Sequence, residues 1–315
     1  MTKPAKDSTI YIAGHTGMVG SACWRLLEEQ GYKNLIGKTS KELDLRDQHA
    51  TEEFIKTHKP EVIIDAAAKV GGIWANNADP YAFLMDNMLI QNNLIRSAHK
   101  YNIAKFIFLG SSCIYPKEAP QPLREEYLLT GPLEPTNQWY ALAKISGVKL
   151  IEALKTQYGR DYVALMPTNL YGPGDNYDLK TSHVLPALLR KFHEAKLNNH
   201  APVTVWGTGK PLREFMHVDD LARAVLYSVE NSLPDSLYNV GSGEEISIKD
   251  LAILIQKIVG HQGEIIWDDT KPDGTPRKLM DSTKLKVKGW ASKINLNLGI
   301  KLIYKNYTSK LNAVF

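Results

Sequence analysis

The chain has little of the features that mark secreted, membrane-spanning or nucleic-acid-binding proteins. Its 315 residues include two cysteines, Cys23 and Cys113, which lie too far apart in sequence to suggest a disulfide framework and favour a reducing compartment. No apolar run approaches the roughly 20 residues that cross a bilayer. The polar start MTKPAKDS lacks the apolar core of a secretory signal. The net charge of +4 is small for this length. We therefore expect a cytoplasmic protein that binds a small, anionic molecule and contacts neither nucleic acid nor a membrane.

What the chain does have is a regular alternation of apolar and amphipathic segments. Strands are predicted at 9–14, 34–38, 61–68, 104–112 and 162–172. Helices are predicted at 17–31, 48–58, 80–102 and 139–159. This order predicts an α/β fold, a Rossmann-type doubly wound parallel sheet with a smaller C-terminal α/β substrate lobe.

The second half of the chain has a looser pattern. Helices are predicted at 184–196 and 217–230, and strands at 202–211 and 236–242, the last of which could rejoin the sheet. We expect residues 1–172 and about 215–240 to form one Rossmann-type domain. Residues of about 173–214 and 241–315 are expected to form the substrate domain.

A glycine-rich turn follows the first predicted strand. Gly14, Gly17 and Gly20 have GxxGxxG spacing and lie where the first helix begins. Glycine permits a tight turn and close approach of a pyrophosphate, which the free N–H groups of a helix N-terminus can bind. The context predicts a dinucleotide site that includes the intervening residues His15, Thr16, Met18 and Val19.

The end of the second strand bears on the choice of dinucleotide. A carboxylate here would favour the free ribose of NAD, but none occurs before Glu42. Lys38 and Lys41 flank Ser40 instead, which favours the 2′-phosphate of NADP unless these lysines form only a solvated edge. Asp44 and Leu45, slightly further on, could contact the adenine.

Tyr140 and Lys144 form a YxxxK pair on the helix predicted at 139–159, where four-residue spacing puts both side chains on one face. Reduction of a carbonyl requires a proton, and a free tyrosine has a pKa near ~10. We expect the lysine ammonium to move the pKa of Tyr140 toward neutrality. Ser111 follows the fourth strand in the segment GSSCIYP and can bind the carbonyl oxygen.

These motifs together resemble the extended short-chain dehydrogenase/reductase superfamily. Longer strings resemble the family of GDP-L-fucose synthases, which are GDP-4-keto-6-deoxy-D-mannose 3,5-epimerase-4-reductases. They are AAAKVGGI, GSSCIYP, EPTNQWYALAK, MPTNLYGP, SHVLPALLRKFHEA, REFMHVDD and KPDGTPRK. The resemblance extends from about residue 9 to residue 290.

The resemblance implies a bifunctional enzyme whose catalytic residues are Tyr140, Lys144, Ser111, Cys113 and His183. The substrate GDP-4-keto-6-deoxy-D-mannose is inverted at C3 and C5 and reduced by NADPH at C4. Both carbons flank the carbonyl, so loss of a proton from either gives an enolate whose charge lies on the C4 oxygen. Cys113 is expected to remove these protons and His183 to return them, and Cys113 would face the ligand beside Ser111 if the segment were extended. The alternative is that Cys113, like Cys23, only fills the core.

The resemblance also assigns binding residues. Further cofactor contacts are expected from Leu109, Gly110, Ser112, Pro167, Thr168, Asn169, Leu170 and His183. The substrate-binding positions are Lys191, Trp206 and Arg213, and Asp273 could accept hydrogen bonds from the guanine or a ribose. Trp206 could instead be a core residue, and Arg213 could pair with Glu214 or Asp219. No metal is expected.

Departures from the family pattern and competing functions remain open. Family members often carry arginine at the positions of Thr16, Lys38 and Ser40, so some use of NADH is also expected. A 4,6-dehydratase, a 4-epimerase and a non-catalytic cofactor-binding module are the alternatives. The segment SSCIYP lacks the acidic pair that a dehydratase uses for elimination. The family usually dimerises through the helices predicted at 80–102 and 139–159, so a homodimer is expected.

Overall fold

The computed structural model describes residues 3–179, 181–271 and 273–312 of the chain. In chain order the strands are β1 (Thr9–Ala13), β2 (Asn34–Ile36), β3 (Val62–Asp65), β4 (Lys105–Leu109), β5 (Asp161–Pro167), β6 (Asn169–Tyr171), β7 (Val203–Trp206), β8 (Leu212–His217), β9 (Leu237–Val240), β10 (Glu245–Ser247), β11 (Ile265–Asp268) and β12 (Arg277–Lys278). The helices are α1 (Met18–Glu29), α2 (Gln48–His58), α3 (Ile73–Ala78), α4 (Pro80–Lys100), α5 (Gln138–Tyr158), α6 (Val184–Leu197), α7 (Val218–Glu230), α8 (Ile248–Val259), α9 (Thr283–Lys286) and α10 (Leu296–Asn312). None of these helices is long and apolar enough to cross a membrane.

A parallel six-stranded sheet organises the first part of the chain, with the strand order β2-β1-β3-β4-β5-β9. β1 lies between β2 and β3, so the chain runs outward to β2 and then crosses to the other side of β1. In sheets of this kind the ligand binds outside the carboxyl ends of the strands, where the strand order reverses. The crevice between the ends of β1 and β3 is therefore the expected cofactor site.

Helices cover both faces of this sheet, because its strands are apolar on both sides. α1 and α7 pack on one face, where Cys23, Leu27 and Val225 are buried. α2, α4 and α5 pack on the other face, where Phe54, Leu94 and Val148 are buried. This arrangement confirms the predicted doubly wound fold. It also confirms Cys23 as a packing residue, since burial raises the pKa of its thiol to about 12.

A second, smaller core forms around α6, α8 and α10 with the β7–β11 pair. Its connection to the main sheet runs through β8, which pairs with β6, β10 and β12. β6 follows directly after β5, so the strand predicted at 162–172 divides at Thr168 between the two cores. The prediction that 236–242 rejoins the sheet is confirmed by β9.

Several local features differ from the predictions. No strand was predicted for β8, although it connects the two cores, and α3, β10, β11 and β12 were not predicted either. The strand predicted at 104–112 ends at Leu109, and a 3₁₀ turn occupies Ser112–Ile114. The turn forms because the Ile114 N–H donates to the Ser111 carbonyl at 3.3 Å and the Cys113 N–H donates to the Ser111 hydroxyl at 3.4 Å.

Candidate active site

The glycine loop lies in the crevice between β1 and β3. Gly14 has a φ of +74°, and a Cβ on it would lie 2.8 Å from the Ala66 carbonyl oxygen. A Cβ on Gly20 would lie 2.2 Å from the Gly14 carbonyl oxygen. Gly17 precedes α1 in extended conformation and offers no side-chain cap to the first helical N–H groups. The loop thus forms a backbone cradle with free donors, which fits a dinucleotide pyrophosphate.

The side chains between these glycines differ in exposure. Thr16 is exposed, whereas Met18 and Val19 are half-buried and pack on the core below α1. The His15 ring lies 5.6 Å from the Trp24 ring, and its Nδ1 atom is buried without a hydrogen-bond partner. This unpartnered atom at the edge of the cradle is consistent with a ligand contact.

The segment after β2 approaches the same crevice through Gly37, where a Cβ would lie 2.4 Å from the His15 ring. Lys38 Nζ lies 3.7 Å from a Glu42 carboxylate oxygen. That carboxylate also accepts from the Thr39 N–H at 2.8 Å and the Thr39 hydroxyl at 2.7 Å, and these bonds lower its pKa. The Glu42 carboxylate therefore already binds Lys38 and Thr39, the residues that are expected to bind the 2′-phosphate of the cofactor.

The other residues predicted after β2 lie on the surface or beside it. Ser40 and Lys41 are exposed. Asp44 accepts from the Arg46 guanidinium at 2.8 Å, and hydrogen bonds from Arg46 lower the pKa of this carboxyl. Leu45 is half-buried against the core under α4. The Asp44 side chain is thus bound to Arg46 at the position where the adenine of the cofactor is expected.

Ser111, Tyr140 and Lys144, here called the tyrosine group, meet at the carboxyl end of β4. Lys144 is buried, and its Nζ donates to the Leu109 carbonyl oxygen at 2.9 Å and lies 5.8 Å from the centre of the Tyr140 ring. Because Lys144 follows Tyr140 by one turn of α5, both side chains face the end of β4, as the YxxxK spacing predicts. Gly110 keeps this strand end close to β5, since a Cβ would collide with Met166.

The pKa values of this group are set by burial. Burial of the hydroxyl, followed by the charges of Cys113 and Asp65, raises the pKa of Tyr140 well above its usual value. Burial also lowers the pKa of Lys144, which Asp65 and then Cys113 oppose. Burial, and not the Lys144 ammonium, therefore dominates the pKa of Tyr140 in this arrangement, and the effect of Lys144 on the phenol stays a prediction. The phenol stays protonated, as a proton donor must be.

Cys113 lies in the 3₁₀ turn after Ser111, so the extended segment assumed in the sequence analysis is not present. Its side chain is 8% exposed and lines a cleft together with Ser112, Asn137 and Lys278. Burial raises the pKa of the Cys113 thiol, whereas the charge of Lys278 and a hydrogen bond with Ser111 lower it. The turn thus places the thiol in a cleft that other segments complete.

His183 and Lys278 join Cys113 to form a second set, here called the cysteine group. His183 immediately precedes α6 and keeps an exposed surface, yet desolvation of its ring and the charge of Lys278 lower its pKa. Lys278 lies on β12, paired with Arg213 on β8, and burial lowers its pKa while Cys113 raises it. Lys278 is therefore the cation that lowers the pKa of both Cys113 and His183, against burial in the first case and together with burial in the second.

Residues that follow β5 donate hydrogen bonds to β8, the strand that connects the two cores. Pro167 ends β5 opposite Val240 of β9. The Thr168 hydroxyl and the Asn169 side-chain amide donate to the Glu214 carbonyl oxygen at 3.3 Å and 2.8 Å, while Leu170 packs on the core below. These side chains hold the backbone that is expected to line the nicotinamide pocket.

The predicted nucleotide contacts lie together on the smaller core. Trp206 is 67% exposed, which excludes a core role, and Lys191 Nζ lies 5.9 Å from its ring centre. Asp273 accepts from the Thr208 N–H at 3.0 Å and hydroxyl at 2.7 Å. Burial lowers the pKa of Arg213 and Asp273 opposes this effect, so Arg213 faces Asp273 rather than Glu214 or Asp219. Pro272, in the KPDGTPRK motif, lies outside the described residues.

Three residues of this region were not singled out from the sequence. Lys278 lies at the end of KPDGTPRK, a motif from which only Asp273 had been selected. Asn137 precedes α5 at the cleft, and its buried Oδ1 atom has no hydrogen-bond partner. Asp65 at the end of β3 is fully buried and acts on both Tyr140 and Lys144. A charged residue that ends an apolar strand was the available signal for Asp65.

Comparisons with known proteins agree with this geometry. The model of the NAD dependent epimerase/dehydratase family matches residues 10–241. The chain is 55% identical to "Putative GDP-L-fucose synthase 2" of Arabidopsis thaliana, over 96% of this chain and 92% of that protein. It is 50% identical to the GDP-L-fucose synthase of Escherichia coli, over 94% and 95% of the two chains. A GDP-L-fucose synthetase structure from Naegleria fowleri bound to NADP superposes with a TM-score of 0.90 at 28% identity, over 99% and 96% of the chains.

Proposed function

The chain belongs to the NAD dependent epimerase/dehydratase family and, within it, to the GDP-L-fucose synthases, and from this premise we propose how its residues act. It converts GDP-4-keto-6-deoxy-D-mannose to GDP-L-fucose, with inversion at C3 and C5 and NADPH-dependent reduction at C4. The observation that carries the proposal is the closeness of a tyrosine group and a cysteine group, since Cys113 acts on Tyr140 and Lys144 and Lys278 acts on Cys113 and His183. Reduction alone requires the first group only, whereas inversion requires an acid and a base as well.

The cofactor is NADP(H), and the residues of the glycine loop fit it. Gly14, Gly17 and Gly20 allow the pyrophosphate to reach the N-terminus of α1. Lys38 would hold the 2′-phosphate after exchanging its contact with Glu42. When bound, NADPH supplies the hydride that reaches C4. NADH should also be used to some extent, because lysine lacks the forked geometry by which arginine binds phosphate.

The cysteine group performs the inversions. The Cys113 thiolate takes the proton from C3 or C5, and the enolate charge is held on the C4 oxygen. His183 returns a proton to the opposite face, and transfer of the thiol proton to the imidazole restores the pair. Lys278 assists because it lowers the pKa of the buried thiol. Since burial keeps Cys113 and His183 neutral at rest, proton transfer between them generates the base and the acid together.

The tyrosine group performs the reduction. Ser111 and Tyr140 donate hydrogen bonds to the C4 oxygen, first to the enolate and then to the carbonyl. As C4 is reduced, the Tyr140 hydroxyl transfers its proton to that oxygen. The Lys144 ammonium, 5.8 Å from the Tyr140 ring centre, then stabilises the phenolate until solvent reprotonates it.

The GDP moiety is assigned to the smaller core. Arg213 and Lys191 supply positive charge for the diphosphate, and the exposed ring of Trp206 supplies a flat apolar face. Asp273 would accept from the nucleoside after exchanging its bonds to Thr208. We therefore assign residues 1–172 and about 215–240 to cofactor binding and the rest to substrate binding.

A cytoplasmic homodimer is the proposed state, assembled through a four-helix bundle of α4 and α5 from two copies. Tyr81, Met85 and Leu89 recur every fourth residue on α4 and are 73%, 37% and 37% exposed. Leu142 and Leu150 on α5, which packs beside α4, are also exposed. An apolar strip along two paired helices favours a partner of the same chemistry.

The test mixes purified protein with NADPH and GDP-4-keto-6-deoxy-D-mannose and follows the NADPH absorbance. The absorbance should fall by one equivalent for each sugar, and the product should be GDP-L-fucose by chromatography and mass. No loss of NADPH would overturn the proposal. A product reduced at C4 but still of the D configuration would retain the reductase and remove the epimerase.

A further inference from the structure

A buried carboxylate at the end of β3 has no part in the mechanism above. Asp65 has no exposed surface and lies between Ala13 of β1 and Phe108 of β4 in the sheet register. Alternation along β3 puts it on the same face as Ile63, which belongs to the core under α4 and α5. The carboxylate is therefore inside the protein, on the side of the sheet from which Lys144 approaches.

The hydrogen bonds of Asp65 do not account for its burial. Its Oδ1 atom accepts from the Ala67 N–H at 3.2 Å, and its Oδ2 atom has no hydrogen-bond partner. The hydroxyl of Tyr11, on the neighbouring strand and the same face, is also buried and unpartnered. A buried carboxylate with one unsatisfied oxygen is costly, so a compensating charge is expected close by.

Lys144 is that charge. Its Nζ lies 4.6 Å from the centre of the ring of Phe108, which is the register neighbour of Asp65 on β4. The carboxylate raises the pKa of Lys144, and the ammonium lowers the pKa of Asp65, which burial holds at about 6. The other titratable groups of this set are Cys113 from the 3₁₀ turn, Tyr140 from α5 and Tyr11 from β1, whose pKa is raised by burial and then by the Asp65 charge. No ion pair within 4.0 Å joins Asp65 to Lys144, so they interact through space across a low-dielectric region.

We propose that Asp65 is a positioning residue of the tyrosine group, a buried counter-charge that keeps Lys144 protonated while Tyr140 donates its proton. The inference rests on the roles proposed above for Tyr140 and Lys144. Without the carboxylate, a lysine desolvated to this extent would lose its proton at lower pH, and the Tyr140 phenolate would lose its stabilising charge. Asp65 acts through Lys144, and its charge also raises the pKa of Tyr140, which helps to keep the phenol protonated.

The pH profile of reduction tests this role with Asp65→Asn, which keeps the size of the side chain and removes its charge. The alkaline limb of kcat should move to lower pH by about one unit, so that kcat at a pH on that limb falls about tenfold. KM for NADPH and for the GDP-sugar should stay within about twofold. Tyr11→Phe is the matched control, since it removes a buried hydroxyl on the same face and should leave the limb in place. An unchanged limb in Asp65→Asn would overturn the proposal.

A second measurement does not depend on activity. Protein labelled with 13C at the lysine ε-carbons is titrated by NMR, and Lys144 is assigned by the signal lost in Lys144→Arg. In the wild type this signal should show a step near pH 6 as Asp65 ionises, and in Asp65→Asn the Lys144 pKa should be lower. If Asp65→Asn does not fold, the wild-type titration alone decides. The absence of a step near pH 6 in the Lys144 signal would then contradict the proposal. If the wild type does not oxidise NADPH, the proposed function fails while this titration still decides the role of Asp65.

Discussion

The tyrosine group and the cysteine group lie side by side but are built in different ways. Ser111, Tyr140 and Lys144 come from one strand end and one adjoining helix, so two neighbouring elements determine their geometry. Cys113, His183 and Lys278 come from a 3₁₀ turn, the start of α6 and β12, which are far apart in sequence. The first set is complete within the main sheet and its helices, whereas the second also requires the start of α6 in the smaller core and β12, which pairs with β8.

Their electrostatics differ as well. Burial dominates the tyrosine group, where it raises the pKa of Tyr140 and lowers that of Lys144. Burial is also the largest influence in the cysteine group, where it raises the pKa of Cys113 and lowers that of His183, but there one cation, Lys278 on β12, acts on both residues. Inversion should therefore depend on the Lys278 charge in addition to burial, whereas reduction depends on groups that the main sheet and its helices supply.

Tyr140→Phe should have the largest effect and should separate the two reactions. Loss of the proton donor should lower kcat for NADPH oxidation by about 10² to 10⁴. Exchange of the C3 and C5 protons with solvent deuterium should fall much less, because Cys113 and His183 are intact and Ser111 still donates a hydrogen bond to the enolate oxygen. Both rates can be measured in one sample, by absorbance and by NMR. Equal losses of reduction and exchange would mean that the two groups are not separable.

Cys113→Ser should produce the converse pattern. A hydroxyl is a far weaker base than a thiolate, so deuterium exchange at C3 and C5 should fall by about 10² or more. NADPH affinity, measured by fluorescence titration, should be unchanged. Cys23→Ser is the control, since that cysteine is buried in the core under α1 and should affect stability but not exchange. Unchanged exchange in Cys113→Ser would remove the thiol from the mechanism.

Asp65→Asn should show that the buried Asp65 charge, which supports the tyrosine group, lowers the free energy of unfolding of the protein. Burial raises the pKa of Asp65 from 3.8 to about 6, so the folded protein holds a proton that the unfolded chain releases between these values. The wild type therefore loses free energy of unfolding as pH rises through this range, by about 2 to 3 kcal/mol. Asp65→Asn should be more stable than wild type at pH 8 and similar at pH 4. Denaturant unfolding at both values measures this difference, and a less stable variant at pH 8 would contradict it.

Lys278→Met should shift the cysteine group alone. Since Lys278 lowers the pKa of Cys113, its loss should raise that pKa and move the rise of exchange rate with pH upward by about one unit. Exchange at pH 7 should then fall about tenfold and recover at higher pH. Lys284→Met is the matched control, because that lysine does not line the cleft and pairs with Asp235 at 3.5 Å. A uniform loss at all pH values would instead indicate a role in substrate binding.

Lys38→Ala should have the smallest effect, at the edge of the cofactor site. An exposed lysine contributes about 0.2 to 1 kcal/mol, so the Kd for NADPH should rise about fivefold or less while that for NADH stays unchanged. Glu42→Gln should do the reverse, since it releases Thr39 and Lys38 for the phosphate. Equal weakening of both cofactors by Lys38→Ala would place the 2′-phosphate elsewhere.

The contrast between the groups also explains what could be predicted from the sequence. The alternating strands, the glycine loop and the YxxxK pair are local patterns, so the fold and the place of Tyr140 and Lys144 follow from them. The position of Lys278 depends on a two-residue strand that pairs with β8 more than sixty residues earlier, for which no local pattern exists. The turn at Ser112–Ile114 was missed because hydrogen bonds to Ser111 outweigh the β preference of an apolar run. Asp65 was not singled out because it lay inside the strand predicted at 61–68 and because Lys144, on which it acts, lies on a distant helix.

The most direct test of the proposed function is the conversion of GDP-4-keto-6-deoxy-D-mannose by the wild-type protein and NADPH in deuterium oxide. We predict GDP-L-fucose that carries deuterium at C3 and C5 and, at C4, a hydrogen from the cofactor, which NMR of the purified product would show. A product with protium at C3 and C5, or a reaction in which NADPH is not consumed, would contradict the claim that one site contains both an epimerase and a reductase.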